Sequence, residues 1–488
     1  MIFFLNAINL LTVLVGFVVQ IIIVRYFGAS DSTDIYYLVI TITTFVTGLS
    51  TGFLTDLFVP IYHDAKNRGA EDARNLSGSI LTLSLISGVV ISALVYVLAP
   101  VFISIFASGF QTAKFGLAVD MLRIISLSIA FATISMVLNS TLNANSFFLI
   151  TYLTNLITPT FNILGLLIGG SRFGVAALMY ATLISSITIF LVLFLYCKIK
   201  VGARFVNPVR QKDLNFLLVK NIPVRAANMI QLLRGPLTTS ILSYFPAGML
   251  TLYSYAEKII NVLMGTTNSP LAQVYYTKSS KLASKKDYSE IRSLLVHIVR
   301  SSVVLFAGTF FVVVIVFQNV FNVLFSGRVP PDGVHTMFLL FMALFPYYYA
   351  MLIGTSLGAT GLAMKKGRLT LYAAILFVSL LAIAIYPSVR VFSLYGLPIS
   401  LAFAQVIATI LYAVLVNRIE TLIDFEVLKI QGSTIVLSLA MIAFNFLTGG
   451  NLTLQVSADA AIFLAWLILN WSSAVNAMQL ITSKGEVK

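Results

Sequence analysis

Apolar runs of 20 or more residues recur along the whole chain, and short polar stretches separate them. Each run is long enough to cross the hydrocarbon core of a bilayer as a helix. Backbone groups find no water inside that core, so each segment must bond to itself, which favours helices. The pattern predicts an all-α polytopic membrane protein with about fourteen transmembrane helices. The predicted spans are residues 3–24, 35–60, 78–104, 121–143, 147–169, 174–197, 215–244, 248–275, 294–325, 335–363, 369–389, 392–417, 430–448 and 456–479.

The placement of basic residues predicts the orientation of these spans. If both termini are cytoplasmic, twenty of the 31 Lys and Arg residues fall in inside loops, five in outside loops and six within spans or at their edges. This bias follows the positive-inside rule. Only 10% of the 488 residues are charged, whereas soluble proteins carry about a quarter. The net charge of +14 therefore reflects topology, and its scatter over thin loops argues against nucleic-acid binding.

A polar stripe in span two corresponds to one in span eight. Steps of three and four through Lys258 meet only polar or small residues, and so do the positions 217 residues earlier,. The stripes are Tyr37, Thr41, Thr44, Gly48, Thr51 and Thr55, and Ser254, Lys258, Asn261, Gly265, Asn268 and Ala272. A separation of six spans preserves orientation and indicates a parallel repeat. We predict two six-helix lobes around a central cavity, residues 1–210 and 211–427, followed by two additional helices in 428–488.

Three basic residues inside the spans are candidates for binding an anionic substrate. Arg225 and Arg234 lie in span seven, and Lys258 lies in span eight. A charge near the bilayer centre costs about 2.5–3.5 kcal/mol on insertion scales, so it normally faces a cavity or a partner. Phosphate oxygens bind guanidinium and ammonium groups strongly. The alternative is internal ion pairing, for which the adjacent Glu257 is the obvious partner of Lys258.

Uncharged residues of the two stripes are candidates for contacts with the rest of the substrate. We expect the hydroxyls of Thr41 and Thr44 and the amide of Asn261 to face sugar groups, although buried threonines also bond to their own backbone. The tyrosines of "PYYYA" in span ten offer faces for sugar rings or pack in the interior. His and acidic residues show no metal-ligand spacing, and no Walker motif is present,. We therefore expect neither catalytic residues nor a metal or other cofactor.

The stretch from Val24 to Arg74 resembles the start of the MurJ family of lipid II flippases. That family belongs to the multidrug/oligosaccharidyl-lipid/polysaccharide (MOP) exporter superfamily. The similar motifs are "YFGAS" after span one, "TD" with aromatics opening span two, "FVPIY" closing it, and "YSYAEKI" in span eight. The resemblance implies two six-helix lobes plus two helices, and export of a polyprenyl-diphosphate-linked saccharide by alternating access. It also matches Lys258 to a cavity arginine of the family and Asp34 to a family acid, so that Asp34 and Glu257 are candidates for coupling or ion pairing.

The chain departs from the family pattern at two places. Residues 13–20 and 44–48, which match stretches with cavity arginines, contain none. The sodium-site carboxylates of spans seven and eleven also have no counterpart. The saccharide therefore stays open between lipid II and an O-antigen or capsule repeat unit of the Wzx type.

Alternatives from other functional classes are a multidrug cation antiporter of the same superfamily and a membrane-embedded glycosyltransferase or ligase. A cationic cavity argues against the antiporter, and the scarcity of carboxylates argues against the enzyme. We expect a transporter of the bacterial inner membrane that serves peptidoglycan or polysaccharide biosynthesis. Its expected partners are the lipid-linked saccharide, membrane lipids and the glycosyltransferases that supply the substrate.

Overall fold

The computed structural model describes residues 2–51, 58–208, 222–325, 327–419, 425–447 and 452–482, and these residues are predominantly α-helical. Seven helical segments within them are long and apolar enough to cross a membrane by length and composition, and three shorter apolar helices accompany them. The predicted all-α membrane fold is confirmed. Some parts of the predicted spans lie outside the described residues, namely 52–57, 215–221 and 448. Two of the basic residues assigned to inside loops, Arg210 and Lys212, also lie outside them.

The first half contains eleven helices within the described residues. They are α1 (Ile2–Phe27), α2 (Asp31–Thr51), α3 (Phe58–Arg68), α4 (Ala70–Val97), α5 (Ala99–Phe106), α6 (Thr112–Ala144), α7 (Phe148–Thr154), α8 (Ile157–Phe173), α9 (Ala176–Val201), α10 (Ile222–Leu232) and α11 (Arg234–Leu242). Each of the first seven predicted spans coincides with one of these helices or with two consecutive ones.

The second half continues in the same way. Its helices are α12 (Met249–Ser284), α13 (Tyr288–Leu324), α14 (Pro331–Ala363), α15 (Gly367–Phe392), α16 (Gly396–Asn417), α17 (Phe425–Leu447) and α18 (Leu452–Thr482), with a 3₁₀ turn at Ser393–Tyr395. One helix corresponds to each of the last seven predicted spans. Helix α12 runs beyond residue 275, where span eight was predicted to end, because the polar stretch up to Ser284 contains no helix-breaking residue.

Proline explains why one predicted span is divided into α10 and α11. A proline lacks the amide hydrogen of a helix interior, and its ring clashes with the carbonyl four residues earlier. Pro236 places that clash at Leu232, which is the last residue of α10. Helix α11 then restarts at Arg234 after a single residue. The break lies beside one of the candidate arginines.

The chain packs as two compact units, Met1–Thr251 and Leu252–Lys488. In the first unit, α10 and α11 pack against α2, and α11 also packs against α5. These contacts place the helices of span seven with the first unit. The lobes proposed from the repeat, 1–210 and 211–427 with 428–488 appended, stay a prediction.

Small residues let helices of the first unit approach closely. A Cβ added at Gly165 of α8 would lie 2.6 Å from the Cβ of Ala181 in α9, and one at Gly88 of α4 would lie 3.1 Å from the Cα of Ala130 in α6. Ser50 and Thr133 join α2 to α6 through a hydroxyl hydrogen bond of 3.0 Å. Close packing and buried hydroxyl bonds are typical of helices associated in a membrane.

Candidate functional site

Asp34, a candidate acid of the sequence analysis, is buried in the first turn of α2. Its Oδ2 accepts a hydrogen bond from the backbone N–H of Gly248 at 2.9 Å. Its Oδ1 accepts from the backbone N–H of Thr251 at 2.9 Å and from the Thr251 hydroxyl at 2.6 Å. The carboxylate thus bonds free amides at the N-terminus of α12, where the helix dipole favours negative charge.

Lys114 of α6 completes this arrangement. Its ammonium lies 3.1 Å from Asp34 Oδ2 and 2.7 Å from Asp31 Oδ1, and it stands 4.3 Å from the centroid of the Phe110 ring. The Lys114 side chain is 14% exposed and the Asp34 side chain 3% exposed. We call Asp34, Lys114, Gly248 and Thr251 the Asp34 cluster. Lys114 is one of the five basic residues assigned to outside loops from the sequence, and no local motif predicts that it pairs with Asp34.

Further contacts fasten the chain segment 240–251 to the ends of neighbouring helices. The backbone N–H of Gly109 donates to the Ser243 hydroxyl at 3.0 Å, and the Tyr244 hydroxyl donates to that of Ser108 at 2.9 Å. Gly248 has φ +87°, and a Cβ there would lie 2.7 Å from the carbonyl oxygen of Ala29. Only glycine fits this conformation and this contact without strain. The segment therefore closes over the starts of α2 and α6.

Thr41 of α2 lies against the start of α11, the helix that begins at Arg234. A Cβ added at Gly235, the residue after Arg234, would meet the Thr41 side chain at 3.1 Å. Arg234 is half-buried at the start of α11. The Thr41 hydroxyl donates to the carbonyl of Tyr37 at 2.8 Å, so the backbone-bonding alternative describes it in this structure.

Arg225 and Thr44 complete the candidate residues of the first unit. Arg225 is buried in α10 and 3% exposed, whereas Thr44 of α2 is exposed. The two helices touch at Gly48, where an added Cβ would meet the Leu232 side chain at 2.7 Å. The structure therefore brings the α2 stripe against α10 and α11, the helices that carry both arginines.

An apolar cavity of about 630 Å³ lies beside this stripe. Its volume is in the range of small-molecule pockets. Side chains of α2, α4, α5 and α10 form its walls, among them Phe45, Ile91, Phe102 and Met229. Met229 is one helical turn beyond Arg225, so the two share a face of α10. A long hydrocarbon chain matches both the lining and the position of this cavity.

In the second unit, Glu257 and Lys258 are half-buried in α12 and Asn261 is exposed one turn further on. The Tyr348 hydroxyl of α14 donates to Glu257 Oε1 at 3.5 Å. Tyr348 and its neighbours Tyr347 and Tyr349 are buried. The "PYYYA" tyrosines therefore pack in the interior of the unit, which is the second of the two alternatives given for them.

Part of the predicted stripe of α12 is used for packing. The Asn268 amide donates to the Thr355 hydroxyl at 3.1 Å, and Tyr275 and Thr360 share a hydroxyl hydrogen bond. These contacts tie the inner portion of α12 to α14. Asn268 belongs to the polar stripe predicted in span eight, and its side chain is only 5% exposed, so protein covers this part of the stripe. Lys258 and Asn261 lie nearer the start of the helix.

Comparison with known proteins identifies the family. The sequence profile described as "Lipid II flippase MurJ" matches residues 23–464. A probable lipid II flippase MurJ of Rickettsia prowazekii is 24% identical over 317 residues, 61% of this chain and 62% of that protein. The lipid II flippase MurJ of Burkholderia cenocepacia is 26% identical over 298 residues, 59% of this chain and 58% of that protein. The chain thus spans about three fifths of the length of the curated relatives it matches.

Solved structures share the fold over most of the chain. A structure described as lipid II flippase MurJ in an inward closed conformation superposes with a TM-score of 0.78 at 16% identity, covering 96% of this chain and 99% of its own. An inward-facing multidrug resistance transporter of the MATE family superposes with a TM-score of 0.71 at 17% identity, covering 84% of this chain and 94% of its own. The profile match, which extends over most of the sequence, together with the seven long apolar helical segments, shows that the chain is a multi-pass bacterial membrane protein and a member of the MurJ family.

Proposed function

We propose that the protein is a flippase that moves a polyprenyl-diphosphate-linked saccharide across the bacterial inner membrane by alternating access. The saccharide is lipid II or an O-antigen or capsule repeat unit. The observation that carries the proposal is the placement of Arg225 and Arg234 in helices that pack against the α2 stripe, in a chain of the MurJ family. Both termini are cytoplasmic in this proposal, as the distribution of basic residues predicts.

The diphosphate is the part of the substrate that these arginines suit. A diphosphate presents several anionic oxygens, and a guanidinium group binds two of them at once through parallel hydrogen bonds. Lys258, in the second unit, supplies a point charge from which an anion dissociates more readily. Thr44 and Asn261 are exposed, which leaves their polar groups accessible to the saccharide.

The apolar cavity supports an amphiphilic substrate. Its walls are almost entirely hydrocarbon, and the helix that contributes Met229 carries Arg225 one turn away. A molecule with an anionic head and a long apolar chain satisfies both surfaces. In this proposal the polyprenyl chain lies in the cavity while the diphosphate is bound by the arginines.

The Asp34 cluster supports alternating access. In the lobes predicted from the repeat, Asp34 and Lys114 belong to the first lobe, and Gly248 and Thr251 to the second. Their hydrogen bonds therefore hold the two predicted lobes together at the outer ends of the spans. Breaking this cluster opens an outward path, and reforming it closes that path while the inner side loads the next substrate.

The multidrug antiporter is the second candidate, favoured by the shared fold with a MATE-family transporter. A cation antiporter would carry positively charged drugs, which buried Arg225 and half-buried Arg234 would repel. A glycosyltransferase or ligase finds no support in the names of the relatives, which are flippases. We therefore retain the lipid-linked saccharide as the substrate, with the glycosyltransferases that make it as partners.

Reconstitution into proteoliposomes tests the proposed function. A fluorescent undecaprenyl-diphosphate saccharide is placed in the inner leaflet, and its arrival in the outer leaflet is read with an impermeant quencher. We expect Arg225→Gln and Arg234→Gln each to slow flipping by about tenfold or more, since a hydrogen bond to a charged group contributes about 1.5–3 kcal/mol. Arg390→Gln is the control, because Arg390 lies in the last turn of α15 and stacks on Tyr386. Equal rates for all three variants and the parent would refute the proposal.

A further inference from the structure

A buried acid lies in the C-terminal helices, away from the residues considered so far. Asp459 of α18 is 2% exposed, and its Oδ1 accepts a hydrogen bond of 2.7 Å from the side-chain amide of Asn445 in α17. The same amide also donates to the carbonyl of Met441 at 3.0 Å. In the part of the chain that the structure describes, no Lys or Arg lies within ion-pair distance of Asp459.

Asp459 lies among buried polar side chains of α17 and α18, and exposed apolar side chains of the same two helices surround them. Several polar side chains of α17 and α18 are buried, while large apolar ones such as Leu439 and Ile468 are exposed. The buried polar residues of the two helices are Thr434, Ser438, Asn445, Gln455, Asp459 and Asn470. Ionisable groups in membrane segments are rare and usually mark ion or proton pathways.

A file of polar side chains leads from the end of the unit to Asp459. His335, half-buried in the second turn of α14, lies 3.5 Å from the side-chain nitrogen of Gln318 in α13. That nitrogen donates to Gln455 Oε1 of α18 at 3.1 Å. Gln455 precedes Asp459 by four residues and therefore occupies the same face of α18. The amide side chains of Gln318 and Gln455 thus lie between two titratable groups, His335 and Asp459.

The other charged groups on the packed helices lie away from this file. Helix α13 carries Glu290, Arg292, His297 and Arg300 near its opposite end, and α14 carries the exposed Asp332 before His335. The sequence of α17 contains Glu426 and Lys429 within its first five residues, far along the helix sequence from Asn445. Asp459 is the one charged residue in the sequence of α18. His335 is therefore the titratable side chain in the file that leads to Asp459.

We propose that Asp459 is a proton-binding site that is loaded through the file of Gln455, Gln318 and His335. His335 exchanges protons with the outer solution, and water between the amides carries the proton to the carboxylate. The glutamine amides do not ionise; they keep the path polar and orient the water. One proton enters and converts the carboxylate to a neutral carboxylic acid, and the same proton leaves in the reverse step.

Asn445 suits a site that changes its protonation state. Its amide nitrogen donates to the carboxylate in the structure, and its buried side-chain oxygen has no hydrogen-bond partner among the described residues. A protonated Asp459 donates its new O–H to such an oxygen after a rotation of the amide. A metal cation is disfavoured, because it needs several oxygens pointing at one position whereas here a nitrogen faces the carboxylate.

Infrared difference spectroscopy tests proton binding without any substrate. The protein is held in nanodiscs in sodium-free buffer, and the pH is changed between about 5 and about 9, a range in which most exposed carboxyl and amino groups titrate little. We expect a carboxylic C=O band at low pH that disappears in Asp459→Asn and shifts in Asn445→Leu. Asp332→Asn, an exposed acid-to-amide change near the same end, should leave the band unchanged. A band that persists in Asp459→Asn overturns the proposal, as does a sodium-induced loss of the band at constant pH.

A second measurement tests the loading path. His335→Gln keeps a hydrogen-bonding side chain next to Gln318 but cannot carry a proton. After a rapid pH change, we expect the Asp459 band to develop about tenfold more slowly in this variant, with the same final amplitude. An unchanged rate overturns the assignment of His335, and a lost amplitude shows a merely structural role.

The use of this proton in transport rests on the proposed function, but its binding does not. With the band established, flipping is measured with and without a pH gradient in the parent and in Asp459→Asn. We expect the gradient to change the parent rate and to leave the variant rate unaffected. A protein that binds the proton but shows no flipping contradicts the proposed function alone, whereas flipping without a carboxyl band contradicts the proton site alone.

Discussion

Asp34 accepts hydrogen bonds from both the backbone N–H and the hydroxyl of Thr251, which lies 217 residues further along the chain. The same offset of 217 residues relates the polar stripe of span two to that of span eight. Asp34 and Thr251 are therefore equivalent positions of the predicted repeat. Equivalent positions of a parallel repeat approach each other near the axis that relates them, so this contact supports the repeat independently of the stripes.

Substitutions at this pair should show strong coupling. Asp34→Asn removes the charge that three donors and Lys114 share, and we expect a loss of about 3–5 kcal/mol, as for breaking a buried ion pair. Thr251→Val removes one hydroxyl bond and should cost about 1–3 kcal/mol. Thermal unfolding in detergent, with the double variant completing the cycle, measures the coupling. Additive losses would contradict a direct interaction.

Gly248 should tolerate substitution less well than a glycine of similar conformation. Gly248 and Gly174 both have positive φ, but only Gly248 has a neighbour that an added Cβ would strike. Gly174→Ala should cost about 1–2 kcal/mol for the left-handed conformation alone. Gly248→Ala adds the clash with the Ala29 carbonyl and should cost more and raise labelling of a cysteine placed at Ser243. Equal effects of the two substitutions would show that the close contact does not matter.

The predicted topology can be checked with single cysteines. Cys197, which is buried between helices of the first unit, is first replaced by alanine. A membrane-impermeant thiol reagent applied from outside should then label a cysteine at Arg328 and spare one at Lys285. Both positions are exposed in the structure, so access depends on the side of the membrane. Labelling of position 285, or none at 328, would contradict cytoplasmic termini.

Variants of Glu257 and Lys258 distinguish binding from internal pairing. If Lys258 binds the diphosphate, Lys258→Ala should slow flipping by about tenfold or more, and Lys258→Arg should retain much of it. Glu257→Gln should bind substrate more tightly yet turn over more slowly, because the acid no longer competes with the phosphate. Flipping and expression are measured together.

Internal pairing predicts another pattern at the same positions. Each single neutral variant then misfolds, and the double change Glu257→Gln with Lys258→Met restores both expression and flipping. Full transport by the double variant would exclude Lys258 from substrate binding.

Filling the apolar cavity should affect long-chain substrates only. Ser87, in the wall of the cavity, is replaced by tryptophan, and Ser104→Trp on the exposed side of α5 is the control. We expect slower flipping of an undecaprenyl-linked saccharide and little change for a short-chain analogue. If both substrates slow equally, the polyprenyl chain lies elsewhere.

Hydrophobic periodicity predicted the helices because each span is a local property of the sequence. Each of the fourteen apolar runs predicted one span, and each span coincides with one helix or two consecutive helices. Pro236 explains the break between α10 and α11. The partners of polar residues were harder to predict. Nothing in the neighbourhood of Lys114 indicates Asp34, and nothing near Asn445 indicates Asp459, because these pairs depend on how distant helices pack. Periodicity also identified the polar face that contains Asn268, but it could not show that α14 covers this part of the face.

The inward-facing polar side chains of α17 and α18 bear on how the protein is made. Each helix alone would expose amides, hydroxyls or the Asp459 carboxyl to lipid during insertion, and an acid at the centre of a helix costs about 2.5–3.5 kcal/mol at the translocon. Only four residues separate the two helices in the sequence, so the helices can leave the translocon together as a hairpin with Asn445 already bonded to Asp459. A chain truncated after α17 loses that partner, and quality-control proteases would then meet an unshielded polar helix in the bilayer.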